Sequence, residues 1–391
     1  MTRRLSRRGV LAAGPGLAAA PGAAGAASPD TPPQPTGPER RLRIISPERL
    51  EAEARAVLPP ASYDFIAGGA GAELTARANR AALDAATITP RVLTGAAGAQ
   101  PDLSLSLLGA ALRHPVLVAP MGLHGLAHPR GEVATAEGAA AAGALFIPAM
   151  VATRSLEEVA AAMGPAAPRW FQLYVPRDRG ITLDLAARAR AAGYGALVIT
   201  VNAPVAAAFR ERDLANGFAV PPALTSGNDR PGYAHALVGS TDAGLRWADI
   251  EWLAARAGLP IVLKGILAAG DARRAVAAGA AGIIVSSHGG RQFDGAPAAF
   301  AALPRCVAAV EGRIPVLMDS GIRRGVDAMK AIAAGADAVC LGRPVWWGLT
   351  LGGAPGVQSV LDRVVAELAT ALRLAGCASL AEVTGELLAG G

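Results

Sequence analysis

A chain of 391 residues, 52% of them hydrophobic, carries enough apolar material for a large buried core, which excludes a disordered chain. Its formal charge of +6 is weighted toward the start, where Arg3, Arg4, Arg7 and Arg8 lie close together. No Lys/Arg stripe interleaved with aromatics follows, so nucleic acid is not an expected partner.

The N-terminus has a basic patch, a mildly apolar stretch over 9–20 and the small residues Ala24-Gly25-Ala26, the layout of an export signal over residues 1–26. Within it Ser6-Arg7-Arg8-Gly9-Val10-Leu11 resembles a twin-arginine signal, which carries proteins already folded. The expectation is an exported protein; a disordered Ala/Pro/Arg tail on a cytoplasmic one is the alternative. Residues 27–44 read as a linker and 45–391 as one domain. No run of eighteen apolar residues without charge follows, so no membrane span is expected.

Ser46 can cap a helix with Pro47 in its first turn, running to Val57. Gly68-Gly69-Ala70-Gly71 reads as a glycine-rich turn and 74–83 as a second helix. The glycines are no phosphate loop, since no strand precedes them and no Gly-Lys-Ser/Thr follows.

From residue 115 a repeated unit decides the fold. Short apolar runs at 115–119, 145–147, 170–174, 196–200, 260–263, 282–285, 315–318 and 338–341 read as buried parallel strands. Ala-rich amphipathic helices lie between them at 134–141, 156–162, 182–192, 247–255, 269–278, 298–310 and 326–334, and a closing helix at 357–374. Eight strands alternating with helices predict an α/β fold, a (β/α)8 TIM barrel with an N-terminal helical extension packed outside it. Residues 203–245, after the fourth strand, are too long for an ordinary connection and read as a lid or specificity loop.

In such a barrel the strands' C-terminal ends share one mouth. There the pattern places Met121, Gly122, Ala149, Gln172, Tyr174, Thr200, Asn202, Lys264, His288, Arg291, Asp319, Gly342 and Arg343. One histidine, several cations, a tyrosine and a single carboxylate suit neither a metal site nor paired-carboxylate chemistry; they suit binding an anion and moving a proton. Asp319-Ser320-Gly321-Ile322-Arg323-Arg324-Gly325 and Gly342-Arg343-Pro344 supply amides and guanidiniums for a phosphate, with Arg324 free to face solvent. Lys264 reads as a Schiff-base lysine, a rim ion pair, or a cation beside an electron-rich cofactor, whose planar ring Gly265 would let approach. His114, His124, His128 and His235 lack a zinc pattern, and Trp346-Trp347 reads as packing. Cys306, Cys340 and Cys377, odd in number and without metal spacing, read as buried free thiols.

The stretch Ser-Ser-His-Gly-Gly-Arg-Gln-Phe-Asp-Gly-Ala-Pro over 286–297 resembles the signature of the FMN-dependent 2-hydroxy acid oxidases and dehydrogenases. The likeness spans about 45–386, through Tyr63-Asp64-Phe65, Ala119-Pro120, Leu126-Ala127-His128-Pro129, Phe171-Gln172-Leu173-Tyr174, Arg210-Glu211-Arg212-Asp213 and Leu263-Lys264-Gly265. The resemblance implies FMN resting on Pro120, Met121 and Gly122, with Gln172 and Thr200 at its pyrimidine edge and Lys264 near N1. It further implies Asp319 on the ribityl chain, and Gly321, Arg323, Gly342 and Arg343 around the phosphate. Arg210 and Arg291 would clamp the carboxylate of a small-molecule L-2-hydroxy acid substrate, Tyr174 would bond its hydroxyl and His288 would take a proton. Oxygen, or a quinone or cytochrome, would be the acceptor, and a homotetramer or octamer the assembly.

The departures define this chain. Phe65 stands where many members carry a second tyrosine, and Asn202 where an aspartate usually pairs with the histidine. Ser287 replaces a common asparagine, Ala149 and Val151 replace larger residues, and Ala206-Ala207-Ala208-Phe209 alters the lead-in to Arg210. Smaller walls imply a bulky or aromatic, mandelate-like substrate.

Overall fold

The computed structural model describes residues 38–205, 209–231, 233, 237 and 241–388. The expected export signal, most of the linker, Ala206 to Ala208 and His235 lie outside the described residues. Before the barrel come helices α1 (Pro47–Val57), α2 (Pro60–Ala67) and α3 (Leu74–Ala85), then a hairpin of β1 (Leu105–Leu107) and β2 (Ala110–Leu112). Ser46 caps α1 as expected, its hydroxyl accepting from Arg49 N at 3.1 Å.

The barrel strands are β3 (Val116–Val118), β4 (Phe171–Leu173), β5 (Leu197–Thr200), β6 (Ile261–Ile266), β7 (Gly282–Val285), β8 (Val316–Met318) and β9 (Ala338–Leu341). All pair in parallel in the order β3-β9-β8-β7-β6-β5-β4. The eighth expected strand, around Phe146, fills the gap between β3 and β4 through single bridges, Val118 to Phe146 and Phe146 to Arg169, rather than a continuous ladder. Pro148 ends that segment and Pro168 faces it from the neighbouring stretch, its carbonyl accepting from Phe146 N at 3.3 Å, and each lacks the amide a longer ladder needs. The ring is thus a (β/α)8 barrel with one weakly paired stave.

Helices α4 (Gly131–Ala142), α5 (Leu156–Met163), α6 (Arg179–Ala191), α7 (Glu211–Asn216), α8 (Trp247–Arg256), α9 (Ala269–Ala277), α10 (Ala299–Val310), α11 (Gly325–Ala333) and α12 (Arg343–Leu374) follow. The closing helix starts earlier than its pattern suggests, and a kink at Gly353 divides it. The barrel strands, unlike the hairpin, are buried on both faces, so their period-two alternation sorts residues between two cores. Leu117, Val198, Val262, Ile284, Leu317 and Cys340 point inward, joined from below by Leu107 and Leu112 of the hairpin. Val116, Val118, Leu197, Leu263 and Ile283 point outward and pack under the helices.

The long connection after β5 is pinned at its middle. Asn228, fully buried, donates from Nδ2 to Met150 O at 2.9 Å and accepts from Leu156 N at 2.8 Å, while Ser226 Oγ donates to the same Met150 O at 3.0 Å. Gly227 passes so close to the backbone of Arg154 and Ser155 that a Cβ would lie 2.4 Å from it. Farther on, Asp242 N donates to Val175 O at 2.9 Å. This places Phe218, Val220 and Leu224 over the barrel mouth as a wall of the cavity, which favours the specificity loop over the lid of the two expectations.

The pin predicts a measurable cost. Asn228→Ala leaves Met150 O short of one donor and Leu156 N without an acceptor, and should lower stability by about 2–4 kcal/mol. Thermal denaturation reads the loss, and limited proteolysis should then cut within 209–245; unchanged stability and cleavage would contradict the pin.

Candidate active site

The site begins where β7 ends. His288, Gly289 and Gly290 all take left-handed backbone angles, with φ of 57, 66 and 74°, which turns the chain back on itself and brings His288 and Arg291 to the cavity. Such angles suit glycine, and a Cβ on Gly290 would also lie 2.5 Å from Ala76 N. A histidine there costs about 1–2 kcal/mol of backbone strain. The turn is held by Ser286 Oγ accepting from His288 N at 2.9 Å and by Ser320 Oγ accepting from Ser287 N and Gly289 N at 3.2 and 3.0 Å. From outside the barrel, Asn79 of α3 donates to Ser287 Oγ at 2.8 Å.

Asn202 stands behind His288 and fixes its tautomer. Its Nδ2 donates to Ser286 O at 3.1 Å, so its Oδ1 faces His288 Nδ1 at 3.2 Å. Nδ1 must therefore carry the proton, and Nε2 keeps a lone pair for use as a base. Gly265, with φ of 114°, makes room for this amide: a Cβ there would lie 2.4 Å from Asn202 Cγ. That corrects its expected role as a clearance for a planar ring. Burial, then the cations Lys264, Arg291, Arg210 and Arg343, hold the imidazole's pKa well below its ordinary value, so His288 is neutral at physiological pH.

Three guanidiniums converge on the C-terminal carbonyls of α2. Arg291 Nη1 donates to Phe65 O, Ile66 O and Gly68 O at 2.6, 3.1 and 3.0 Å. Arg343 donates to Ile66 O and Gly68 O at 3.2 and 3.1 Å, and Arg210 to Phe65 O at 3.3 Å. Dipolar carbonyls at a helix C-terminus hold cations in place without cancelling their charge. Burial pushes the Arg291 pKa well down and that of Arg343 down to about 10, with the neighbouring arginines adding to both shifts. Arg323 is likewise lowered, chiefly by burial, and among the described residues neither it nor Arg343 has a carboxylate in ion-pair contact. Buried charge of one sign calls for anions.

Lys264 Nζ lies 2.9 Å from Asp319 Oδ2 and donates to Ser286 Oγ at 3.0 Å, while Ser320 Oγ donates to Asp319 Oδ1 at 2.7 Å. This network ties β6, β7 and β8 together and holds the ammonium at the cavity wall. It makes Lys264 an ion-paired cation facing the cavity, and disfavours the Schiff-base reading, which needs a neutral amine. Gln172 Nε2 donates to Thr200 Oγ1 at 3.0 Å. Tyr174 has its pKa pushed up to about 12 by burial, with Arg291 opposing, so its hydroxyl stays protonated.

All these groups face one cavity of about 590 Å³. Phe65, Pro120, Met121, Gly122, Gln172, Tyr174, Thr200, Arg210, Lys264, His288, Arg291, Asp319, Gly321, Arg323, Gly342 and Arg343 line it together; of the expected set, Asn202 alone stands behind it. Phe65 stacks on Phe218 with centroids 4.4 Å apart, and Ala149, Val151, Val220 and Leu224 continue an apolar side. Phe218, Val220 and Leu224 carry no signal in the sequence, because the long loop has no period. Ser286 and Ser320 lay inside quoted motifs, yet small hydroxyls inside a turn signal nothing without coordinates. Trp346, expected as packing, lines the cavity and meets His124 edge-on, whereas Trp347 stacks on Tyr63. Arg324 points outward to Glu48, as the sequence allowed. Cys306, Cys340 and Cys377 are buried free thiols.

Residues 54–390 match the family described as FMN-dependent dehydrogenase. The chain is 45% identical to an L-lactate oxidase from Nostoc sp. over 363 residues, which cover 88% of this chain and 99% of that one. It is 41% identical to glycolate oxidase from Spinacia oleracea, covering 88% of this chain and 95% of that one. Among solved structures, a mandelate oxidase superposes with a TM-score of 0.82 at 42% identity, covering 87% of this chain and 97% of that one. Another structure of mandelate oxidase holds an FMN adduct.

The Asn202–His288 pair sets the pH behaviour. A base works in its neutral form, so activity falls as pH drops through the pKa of His288, which here lies well below 6.5. kcat/KM should therefore stay level into mildly acidic solution. Asn202→Asp puts a negative charge beside the imidazole and should move the acidic limb upward by ~1–3 pH units. A pH profile of kcat/KM in which wild type and variant share one acidic limb would contradict the assignment.

Proposed function

Since the chain belongs to the FMN-dependent dehydrogenase family, we propose that it oxidises an L-2-hydroxy acid with a bulky or aromatic side chain to the 2-oxo acid and passes the electrons to oxygen, yielding hydrogen peroxide. The reading rests on the meeting, in one cavity, of an imidazole with its Nε2 lone pair free, Arg291 with no carboxylate against it among the described residues, Arg210 over the same Phe65 ring, and a stacked Phe65–Phe218 wall.

The residues present fit FMN. Gly321 and Gly342 border the cavity beside the buried cations Arg323 and Arg343, and α12 begins at Arg343, so free amides, helix dipole and guanidiniums would take a phosphate together. Pro120, Met121 and Gly122 would bear one face of the ring system, Gln172 and Thr200 would bond its polar edge, and Asp319 would bond the ribityl chain. Lys264, paired with Asp319, would set a positive charge beside the ring system. When bound, FMN supplies the two-electron acceptor.

The protein's own part is binding, orientation and proton transfer. Arg210 and Arg291 would hold the substrate carboxylate, with the side chain directed at Phe65, Phe218, Ala149 and Val151. Tyr174, protonated, donates to the 2-hydroxyl, and His288 Nε2 takes the hydroxyl proton. Asn202 Oδ1 then supports the imidazolium through Nδ1–H with a neutral hydrogen bond, weaker than a carboxylate would give. Fixing carboxylate, hydroxyl and base at once is a positional and electrostatic gain.

Two measurements test this reading. Mixed anaerobically with 2-hydroxy acids from glycolate to mandelate, the yellow holoenzyme should bleach, fastest with the aromatic acids. A full panel without bleaching overturns the reaction class, and faster reoxidation by a quinone than by oxygen overturns the acceptor. Phe218→Ala should lower kcat/KM for mandelate more than for lactate, by about tenfold. Equal losses would contradict the aromatic assignment.

A further inference from the structure

Arg210 differs from Arg291 and Arg343 in having a carboxylate against it. It precedes the short helix α7, and Asp213 follows three residues later, so the two side chains meet in a close ion pair between Nη2 and Oδ2. Both line the cavity, and their side chains are only 15% and 14% exposed. The pair is incomplete on both sides. Arg210 Nη1 has only a long 3.3 Å bond to Phe65 O, and Asp213 Oδ1 is buried with no hydrogen-bond partner among the described residues. A purely structural buried ion pair normally satisfies both oxygens.

The neighbourhood shows what the second half of the arrangement awaits. The Arg210 and Arg291 guanidiniums lie over the same Phe65 ring, 4.5 and 5.0 Å from its centroid, and Arg291 has three carbonyl partners but, among the described residues, no carboxylate in contact. An external carboxylate bridging the two must share or take the Arg210 face that Asp213 now holds. Burial raises the Asp213 carboxyl above its ordinary range, Arg210 and Arg291 oppose that shift and Asp64 adds to it. Burial also lowers Arg210. Each charge is thus poorly compensated where it stands.

We propose that Asp213 is a specificity-determining residue that stands in for the substrate carboxylate on Arg210 and is displaced when that carboxylate binds. The inference rests on the reading of the substrate as a carboxylic acid. Its consequence is competition: every carboxylate entering the site gives up part of its attraction to Arg210, so weakly held acids are screened out and a neutral analogue feels no such penalty. Asp213 thereby sets the threshold of side-chain packing, on the Phe65–Phe218 wall, that an acid must add in order to stay.

The test uses FMN holoenzyme and two probes small enough to ignore the side-chain wall, acetate and its neutral isostere acetamide, titrated against the flavin absorbance at constant ionic strength. Asp213→Asn keeps an acceptor for Arg210 and removes the competing charge; Asp213→Ala, judged folded by its retained flavin spectrum, removes both. Acetate should bind either variant about three- to tenfold more tightly than wild type, with acetamide unchanged. Unchanged or weaker acetate binding in the variants overturns the proposal. So does a parallel shift for acetamide, which would mark a merely structural role, and so does the absence of any response to acetate. Because the readout is binding without turnover, it is independent of whether hydroxy acids reduce the flavin, and that failure would strike the proposed reaction instead.

Discussion

The C-terminus of helix α2 is the constraint on which the site depends. Its carbonyls at Phe65, Ile66 and Gly68 accept from Arg210, Arg291 and Arg343, drawn from the loop after β5, the turn after β7 and the start of α12. Carboxylates in those places would have fixed the arginines as firmly and neutralised them. Carbonyl dipoles position Arg291 and Arg343 and leave their charge available, at the expense of pKa values depressed by burial and mutual repulsion, whereas Arg210 also meets Asp213. The extension outside the barrel is therefore part of the active site, because α2 supplies these acceptors and α3 supports Ser287 through Asn79.

The same positive field explains the state of the base. His288 sits in a strained turn amid Lys264, Arg291, Arg210 and Arg343, all of which favour its neutral form. With Asn202 behind it, the imidazole keeps orientation and tautomer but gains no charge support. Such a base accepts a proton readily only when negative charge arrives beside it to offset the cations, which the carboxylate of the proposed substrate would supply. The Lys264–Asp319 pair balances the opposite wall, where the family's cofactor would meet it.

Much of this was legible in the sequence because barrel strands announce themselves. Buried β-branched runs such as 282–285 have a length and composition that helices lack, and the barrel rule then converts strand ends into a list of neighbours. His288, Lys264, Tyr174 and the arginines came together on that logic, and the family resemblance gave each a role. What could not be read depends on close approach. Gly265 serves Asn202, Ser286 joins lysine to histidine turn, and Asn228 pins a loop whose composition resembles a lid. The stave at Phe146 has the apolar composition of a full strand, but Pro148 beside it and Pro168 across from it limit its pairing.

The central claim is that one cavity grips a carboxylate with Arg210 and Arg291 while presenting the adjoining hydroxyl to His288. A crystal structure of the FMN holoenzyme with a 2-hydroxy acid bound tests it most directly. The carboxylate should bridge the two guanidiniums, with the hydroxyl within hydrogen-bond distance of His288 Nε2 and the side chain against Phe65 and Phe218. A carboxylate bound elsewhere, or a hydroxyl turned away from Nε2, would contradict it.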